Sequence, residues 1–318
     1  MGKQEGLGHY ARSHSLLSAW RQLCEKEPFH AICLIREEEM ATLPTVSFPW
    51  ILSSLTLSSF LSERLTQYTP SHLFVDHPNW SSSHYTQIKS CFSIQVWVLG
   101  CFPLQEPFAD LLLFPFPFPP FPLPTSTPYI YGEQYTLIRR EISSQRPYSP
   151  WKGRQISSLL VALSGSDPGK CLHPILCQLS LPFFSHLSIS ILMGTALLRG
   201  ETREIVQNYR YIEDSSQLAT EIKNHDLVLT LGGVLTEETL CLGTPCCCVE
   251  WKYLAPFVKK KERAGWIFSL GSHSQIEKSL PSLLHNPTLL QERTERNWQQ
   301  IDGKGNLRLI QHLISKHI

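Results

Sequence analysis

The chain is 318 residues long, 42% hydrophobic and 17% charged, with 28 Lys+Arg against 27 Asp+Glu. That length accommodates two domains of ordinary size, each able to bury its own core, and the charge balance excludes both a disordered chain and a nucleic-acid partner held by bulk charge. Ten cysteines scattered over so long a chain do not make a disulfide scaffold, which is usually short and secreted, and no CxxC pair stands near a second one to suggest zinc.

In chain order, Gly6, Gly8, His9 and Arg12 form a Gly-rich turn ahead of an apolar helical pattern from Ser13 to Leu23. This polar start does not read as a signal peptide, so a cytoplasmic chain is expected. "FHAICLIR" (Phe29 to Arg36) predicts a short buried strand. "SHLFVDHP" predicts another, "SSSHYTQIKSC" a helix, and "IQVWVLGCF" a third strand ending at Gly100. The alternation predicts an α/β domain with a mostly parallel sheet and helices on both faces.

Six prolines between Phe114 and Pro124 interrupt it, because proline fits neither a helix interior nor a central strand. Two readings stand for this segment. One is a short strand at Ala109 to Leu113 followed by an extended loop; the other is an exposed apolar loop, residues 114–124, touching a membrane or a protein partner. The segment is too Pro-rich to span a bilayer, and no transmembrane segment is expected elsewhere.

After a linker near Gln145 to Gly153 the rhythm restarts with "ISSLLVALSGSDPGK", where a strand ends in Gly165, Ser166 and Asp167. "LSISILMG" and "DLVLTLGG" predict further strands, with a helix at Ser215 to Lys223. The last of these strands ends in Gly232-Gly233, and a helix from about Thr236 to Gly243 follows. Free N–H groups at a helix start attract an anion, and glycines let a phosphate approach the backbone. Such a turn suits a diphosphate. Glu238 either accepts the two hydroxyls of a ribose beside that diphosphate or serves only as a carboxylate favourable to the helix dipole; Glu237 is expected to face solvent. Ligands gather beyond the C-terminal ends of strands in doubly wound sheets, so both Gly turns should face one cleft. Cys246, Cys247 and Cys248 read as a buried strand, free cysteine behaving as a small hydrophobe.

These residues resemble a known family. The C-terminal half is similar to the nucleotide-binding domain of MurG-type GT-B glycosyltransferases, and more closely to the UDP-sugar hydrolases of pseudaminic acid biosynthesis and related spore-coat polysaccharide proteins. The resemblance is carried by Ser164-Gly165-Ser166-Asp167-Pro168, by Gly232-Gly233 with Glu238 and Leu242-Gly243-Thr244-Pro245, by "YGEQYTLIRREI", and by the closing "IDGKGNLRLIQHLI". The family's opening strand, Gly-x-Gly-His-x-x-Arg turn and helix match Gly6, Gly8, His9 and Arg12, although only five residues precede Gly6, leaving the first strand short or missing.

The resemblance implies two doubly wound Rossmann-like domains facing a cleft, 1–148 carrying the sugar and catalytic groups and 149–318 the nucleotide. It implies a UDP-linked amino-deoxy sugar as substrate, no cofactor, and hydrolysis at the anomeric carbon with His9 as the base activating water. Gly232, Gly233 and Thr236 would hold the diphosphate, while Arg12 braces its loop. A MurG-like transferase would set an acceptor hydroxyl in the water's place, and a degenerate relative would bind the nucleotide sugar without turnover. Two departures stand out: Val234 replaces the serine that follows the second glycine pair, and "WKYLAPFVKKK" replaces an Asn-Gln pair that holds the sugar.

Overall fold

The computed structural model of the protein describes residues 8–23, 33–35, 50–52, 65–67, 70–76, 80–100, 109–116, 126–163, 170–194 and 209–317. Helix α1 (Gly8–Leu23) comes first, followed by strands β1 (Cys33–Ile35) and β2 (Trp50–Leu52), which pair in parallel as a small separate sheet. Then β3 (His72–Val75), α2 (Ser82–Cys91), β4 (Gln95–Leu99), β5 (Leu111–Phe114) and β6 (Tyr129–Tyr131) build a four-stranded parallel sheet in sequential order.

Period-two alternation divides this sheet into two faces. Trp97, Leu99, Leu111 and Leu113 pack on one side with Leu16 and Ala19 of α1, while Val96, Val98, Leu112 and Phe114 pack on the other with Ile88 of α2. The expected strand at Ala109 to Leu113 is displaced to Leu111–Phe114, and Phe116, in the Pro/Phe-rich segment, is buried. Residues 117–125 lie outside the described set.

A short helix α3 (Arg140–Ser143) leads to the second unit. Its elements are β7 (Ser158–Val161), α4 (Leu172–Leu179), β8 (Ser188–Leu192), β9 (Arg210–Ile212), α5 (Leu218–Asn224), β10 (Leu227–Thr230), α6 (Val234–Cys241), β11 (Cys246–Cys248), α7 (Ala255–Arg263), β12 (Phe268–Ser269), α8 (Ile276–Leu284), α9 (Pro287–Gln300) and α10 (Gly305–His317). All six strands are parallel, in the order β12-β11-β10-β7-β8-β9. Numbered from β7, this is the doubly wound order 3-2-1-4-5-6.

The strands are buried on both faces, and for that reason read as nearly unbroken apolar runs. Leu159, Val161, Leu227, Leu229 and Cys247 face α4 and α8, whereas Leu160, Ala162, Val228, Cys246 and Cys248 face α5, α6 and α7. The cysteines are core residues, as expected, and burial pushes the Cys247 thiol well above its ordinary value.

Packing crosses residue 148 in both directions. Ile138 and Ile142 join the core of the second unit, and Leu309, Ile310 and Leu313 of α10 return to the first, against α1. Asn306 fastens the crossing: its Oδ1 accepts from the Ile138 amide at 2.9 Å, and its Nδ2 donates to Ile138 O at 2.8 Å and Ser15 O at 3.3 Å. Helix α1 also begins five residues earlier than the apolar pattern suggests, so Gly8 and His9 form its first turn rather than a preceding loop. The expected short or missing first strand falls on residues 1–7, outside the described set.

At the N-terminal ends of the two central strands, away from the Gly232 turn, Asp226 joins β7 to β10. Burial alone raises its carboxyl, but Arg154, the Ser157 amide, and the Ser158 and Ser157 hydroxyls outweigh this and hold it well below the usual carboxylate range. A depressed folded-state pKa stabilises the fold above the unfolded value of about 4 and loses that contribution as pH falls. Asp226→Asn is therefore expected to lower unfolding free energy by about 1.5–3 kcal/mol at neutral pH and to make stability less sensitive to acid below about pH 4. Denaturant unfolding at both pH values checks it. Among the described residues no helix is long and apolar enough to cross a membrane.

Candidate functional site

The strand order places β7 beside β10, in register Val161↔Leu229, with their onward connections leaving in opposite directions. Such a switch point opens a crevice beyond the C-terminal strand ends. Strands β7 and β10 both end at this point. The turn after β7, with Gly165, Ser166 and Asp167, lies outside the described residues, as does Gly6. The turn after β10 is fully described.

Gly232 has φ +86°, and a Cβ there would fall inside Val258 of α7. A side chain is therefore excluded both by backbone and by space. Gly233 caps α6 in extended conformation, and Gly233, Val234 and Leu235 are partly exposed while their neighbours on either side are buried. First-turn amides have no intrahelical acceptor, and the three residues at this helix start are the partly exposed ones. Helix α6 begins at Val234 rather than Thr236 and ends at Cys241.

Thr236 braces the turn from behind: its Oγ1 lies 2.8 Å from Thr230 Oγ1, which is 3.2 Å from Cys248 Sγ and accepts from the Gly232 amide at 3.3 Å. Its side chain is fully buried and does not line the crevice.

Both glutamates differ from expectation. Glu238 is 0% exposed, with Oε1 and Oε2 accepting from Arg139 Nε at 2.6 Å and Nη2 at 2.7 Å. In this arrangement the carboxylate is not open to a ribose; it is the buried partner of a bidentate pair. Glu237 does not face solvent either. It pairs with Lys261, whose Nζ also donates to Gly232 O at 2.8 Å. The physical reason is that Thr236 through Cys241 are all buried: α6 is enclosed by α1, α3, α9 and the sheet, so it has no wet face to give a charge.

In the first unit, Arg12 is buried, paired with Asp76 at 2.9 Å just past the end of β3, and 5.7 Å from the Phe116 ring centroid. It braces the head of α1. Gly8 and His9 open that helix, three residues before Arg12 in the case of His9. Phe116 meets Phe257 of α7 edge-on, 6.1 Å between centroids, so the C-terminal edge of the first sheet reaches the helix that packs behind the Gly232 turn. Sequence reasoning missed Arg139, hidden in "LIRREI", and Lys261, the last of a Lys259–Lys261 run that reads as a solvated helix face.

No family model matches the chain. Over 207 residues it is 23% identical to an uncharacterized protein of Methanocaldococcus jannaschii, covering 61% of this chain and 38% of that protein. Over 120 residues it is 28% identical to the spore coat polysaccharide biosynthesis protein SpsG of Bacillus subtilis, covering 36% of this chain and 35% of that one. The chain thus spans little more than a third of either relative's length. Among solved structures, S. aureus MnaA in complex with UDP superposes with TM-score 0.67 at 14% identity, covering 98% of this chain and 94% of that one. Acinetobacter baumannii MurG superposes with TM-score 0.62 at 14% identity, covering 96% of each.

The fold is GT-B. In the GT-B frame the four-stranded and six-stranded parallel sheets form the two halves, and α10 returning onto α1 ties the second half to the first.

Proposed function

We propose that the chain binds a UDP-linked sugar in the crevice between its two halves and acts at the anomeric carbon. The observation that carries this reading is the Gly232-Gly233 turn at the switch point, leading into a partly exposed first turn of α6 whose amides have no intrahelical acceptor, in a fold shared with the UDP co-structure of S. aureus MnaA. Those amides and the helix dipole would hold the diphosphate and stabilise the charge that develops as it departs. His9, in the first turn of α1, would take the proton of the attacking water, a role suited to a neutral imidazole near pH 7. The likeness to SpsG, a spore coat polysaccharide biosynthesis protein, supports a sugar destined for a surface polysaccharide, and an amino-deoxy sugar is what the family resemblance implies. In this reading 1–148 supplies the base and sugar contacts and 149–318 the nucleotide contacts, and the turn at Gly165, Ser166 and Asp167 adds phosphate donors from the other side of the switch point.

A second reading, transfer of the sugar to an acceptor hydroxyl, is favoured by the likeness to MurG. The two are separated by incubating the protein with UDP-sugars and measuring UDP release. Hydrolysis is expected to release UDP without an acceptor, and His9→Ala to lose turnover while retaining UDP affinity in calorimetry. UDP appearing only when an acceptor is added establishes transfer. Failure of the wild type to bind UDP overturns the nucleotide reading in both forms.

A further inference from the structure

Beneath the Gly232 turn lies an ion pair that neither proposed reaction requires. Lys261 and Glu237 have side chains 3% and 5% exposed, and the ammonium also donates to Gly232 O. A buried ion pair is weak evidence for stability, because desolvation can exceed the Coulombic gain. Its location is informative on other grounds. Glu237 sits in the first turn of α6, close to the amides that would hold the diphosphate. A carboxylate there favours the helix dipole when nothing is bound, but opposes an anion arriving at the same amides. Lys261 cancels it.

We propose that Lys261 is a positioning residue for diphosphate: it fixes the carbonyl side of the Gly232 turn so that the amides face outward, and it screens the Glu237 charge from the bound anion. This rests on the nucleotide reading above. Helix α7 is shaped for the task, since Phe257, Val258 and Lys261 are its buried face. Val258 fills the space a Gly232 side chain would need, and Lys261 holds the oxygen. One helix thereby sets the turn's shape and its charge.

The two partners should act in opposite directions on ligand affinity, which a purely structural pair would not do. Glu237→Gln removes the negative charge and leaves the buried cation behind the amides. It is expected to tighten binding of UDP and of inorganic pyrophosphate by on the order of tenfold, a factor corresponding to about 1.4 kcal/mol, although the fold is less stable. Lys261→Met strands the carboxylate and is expected to weaken both ligands by at least as much, with Lys261→Arg recovering most of the loss. The double variant Glu237→Gln/Lys261→Met is expected to bind more tightly than Lys261→Met, because no carboxylate is stranded, but more weakly than wild type, because Gly232 O still lacks its donor. Calorimetric titration of folded protein with each probe measures all four. Affinity changes of the same sign in Glu237→Gln and Lys261→Met, or no change in the former, overturn the proposal while leaving UDP binding intact. If the wild type binds neither probe, the nucleotide reading fails and this inference with it.

Discussion

Arg139→Ala is expected to destabilise the fold by about 3–5 kcal/mol, the cost of leaving a buried carboxylate without its partner. Glu238 is completely enclosed, and both its oxygens bond to Arg139. The reverse deletion is expected to cost less, because the Arg139 side chain is 32% exposed and its charge can be hydrated once the carboxylate has gone. Arg139→Met/Glu238→Leu, which removes both charges and fills the volume, is expected to recover most of the stability lost in Arg139→Ala. Urea unfolding of the three variants orders them; equal losses for Arg139→Ala and Glu238→Leu would mean that the asymmetry of burial does not govern the pair. A further variant tests the ribose question. UDP affinity of folded Glu238→Gln is expected to match the wild type, since the carboxylate faces Arg139 rather than the crevice, and a marked loss would return the ribose to Glu238.

This pair also explains what could be seen in the sequence. Two of the motifs that carried the family resemblance, "YGEQYTLIRREI" and the Gly232-Gly233 segment with Glu238, meet in one ion pair, yet neither motif announces the other. The strands buried on both faces, β4, β5, β7, β8 and β10, were legible because double burial leaves an apolar run that survives any register. Strands β6, β9 and β12 have two or three residues each, too few to establish a period, and were missed. The start of α1 was placed late because Gly8 reads as punctuation, although the first turn of a helix tolerates glycine better than its interior does.

The assignment of Glu237 to solvent assumed that a helix with alternating polar residues has a wet face. That assumption fails for α6, and nothing within the helix records that α1, α3 and α9 surround it. Lys261 was obscure for the complementary reason. Three consecutive lysines look solvated, and only the phase of α7 relative to Phe257 and Val258 turns the third one inward. The turn at the switch point was legible because its requirement is local, glycine where backbone and space forbid a side chain.

Gly232→Ala is expected to cost about 2–5 kcal/mol of stability and to abolish measurable UDP binding. The left-handed backbone at φ +86° penalises an alanine by about 1–2 kcal/mol, and the added methyl group overlaps Val258, where overpacking costs about 1–3 kcal/mol more. Relief by either route rotates the peptide whose carbonyl Lys261 holds and which also carries the Gly233 amide. Gly232→Ala/Val258→Ala is expected to regain little, because it opens space without changing φ and adds a cavity of its own. Gly233 is the control. Its backbone is extended, with φ −88°, and an added Cβ would touch only Leu254 Cδ1, at 4.0 Å. Gly233→Ala is therefore expected to unfold like the wild type while weakening UDP by on the order of tenfold, since its methyl group stands where a phosphate would approach the amides. Thermal unfolding and UDP titration of the three variants distinguish strain from obstruction. Unchanged UDP affinity in both Gly232→Ala and Gly233→Ala would move the diphosphate away from this turn altogether.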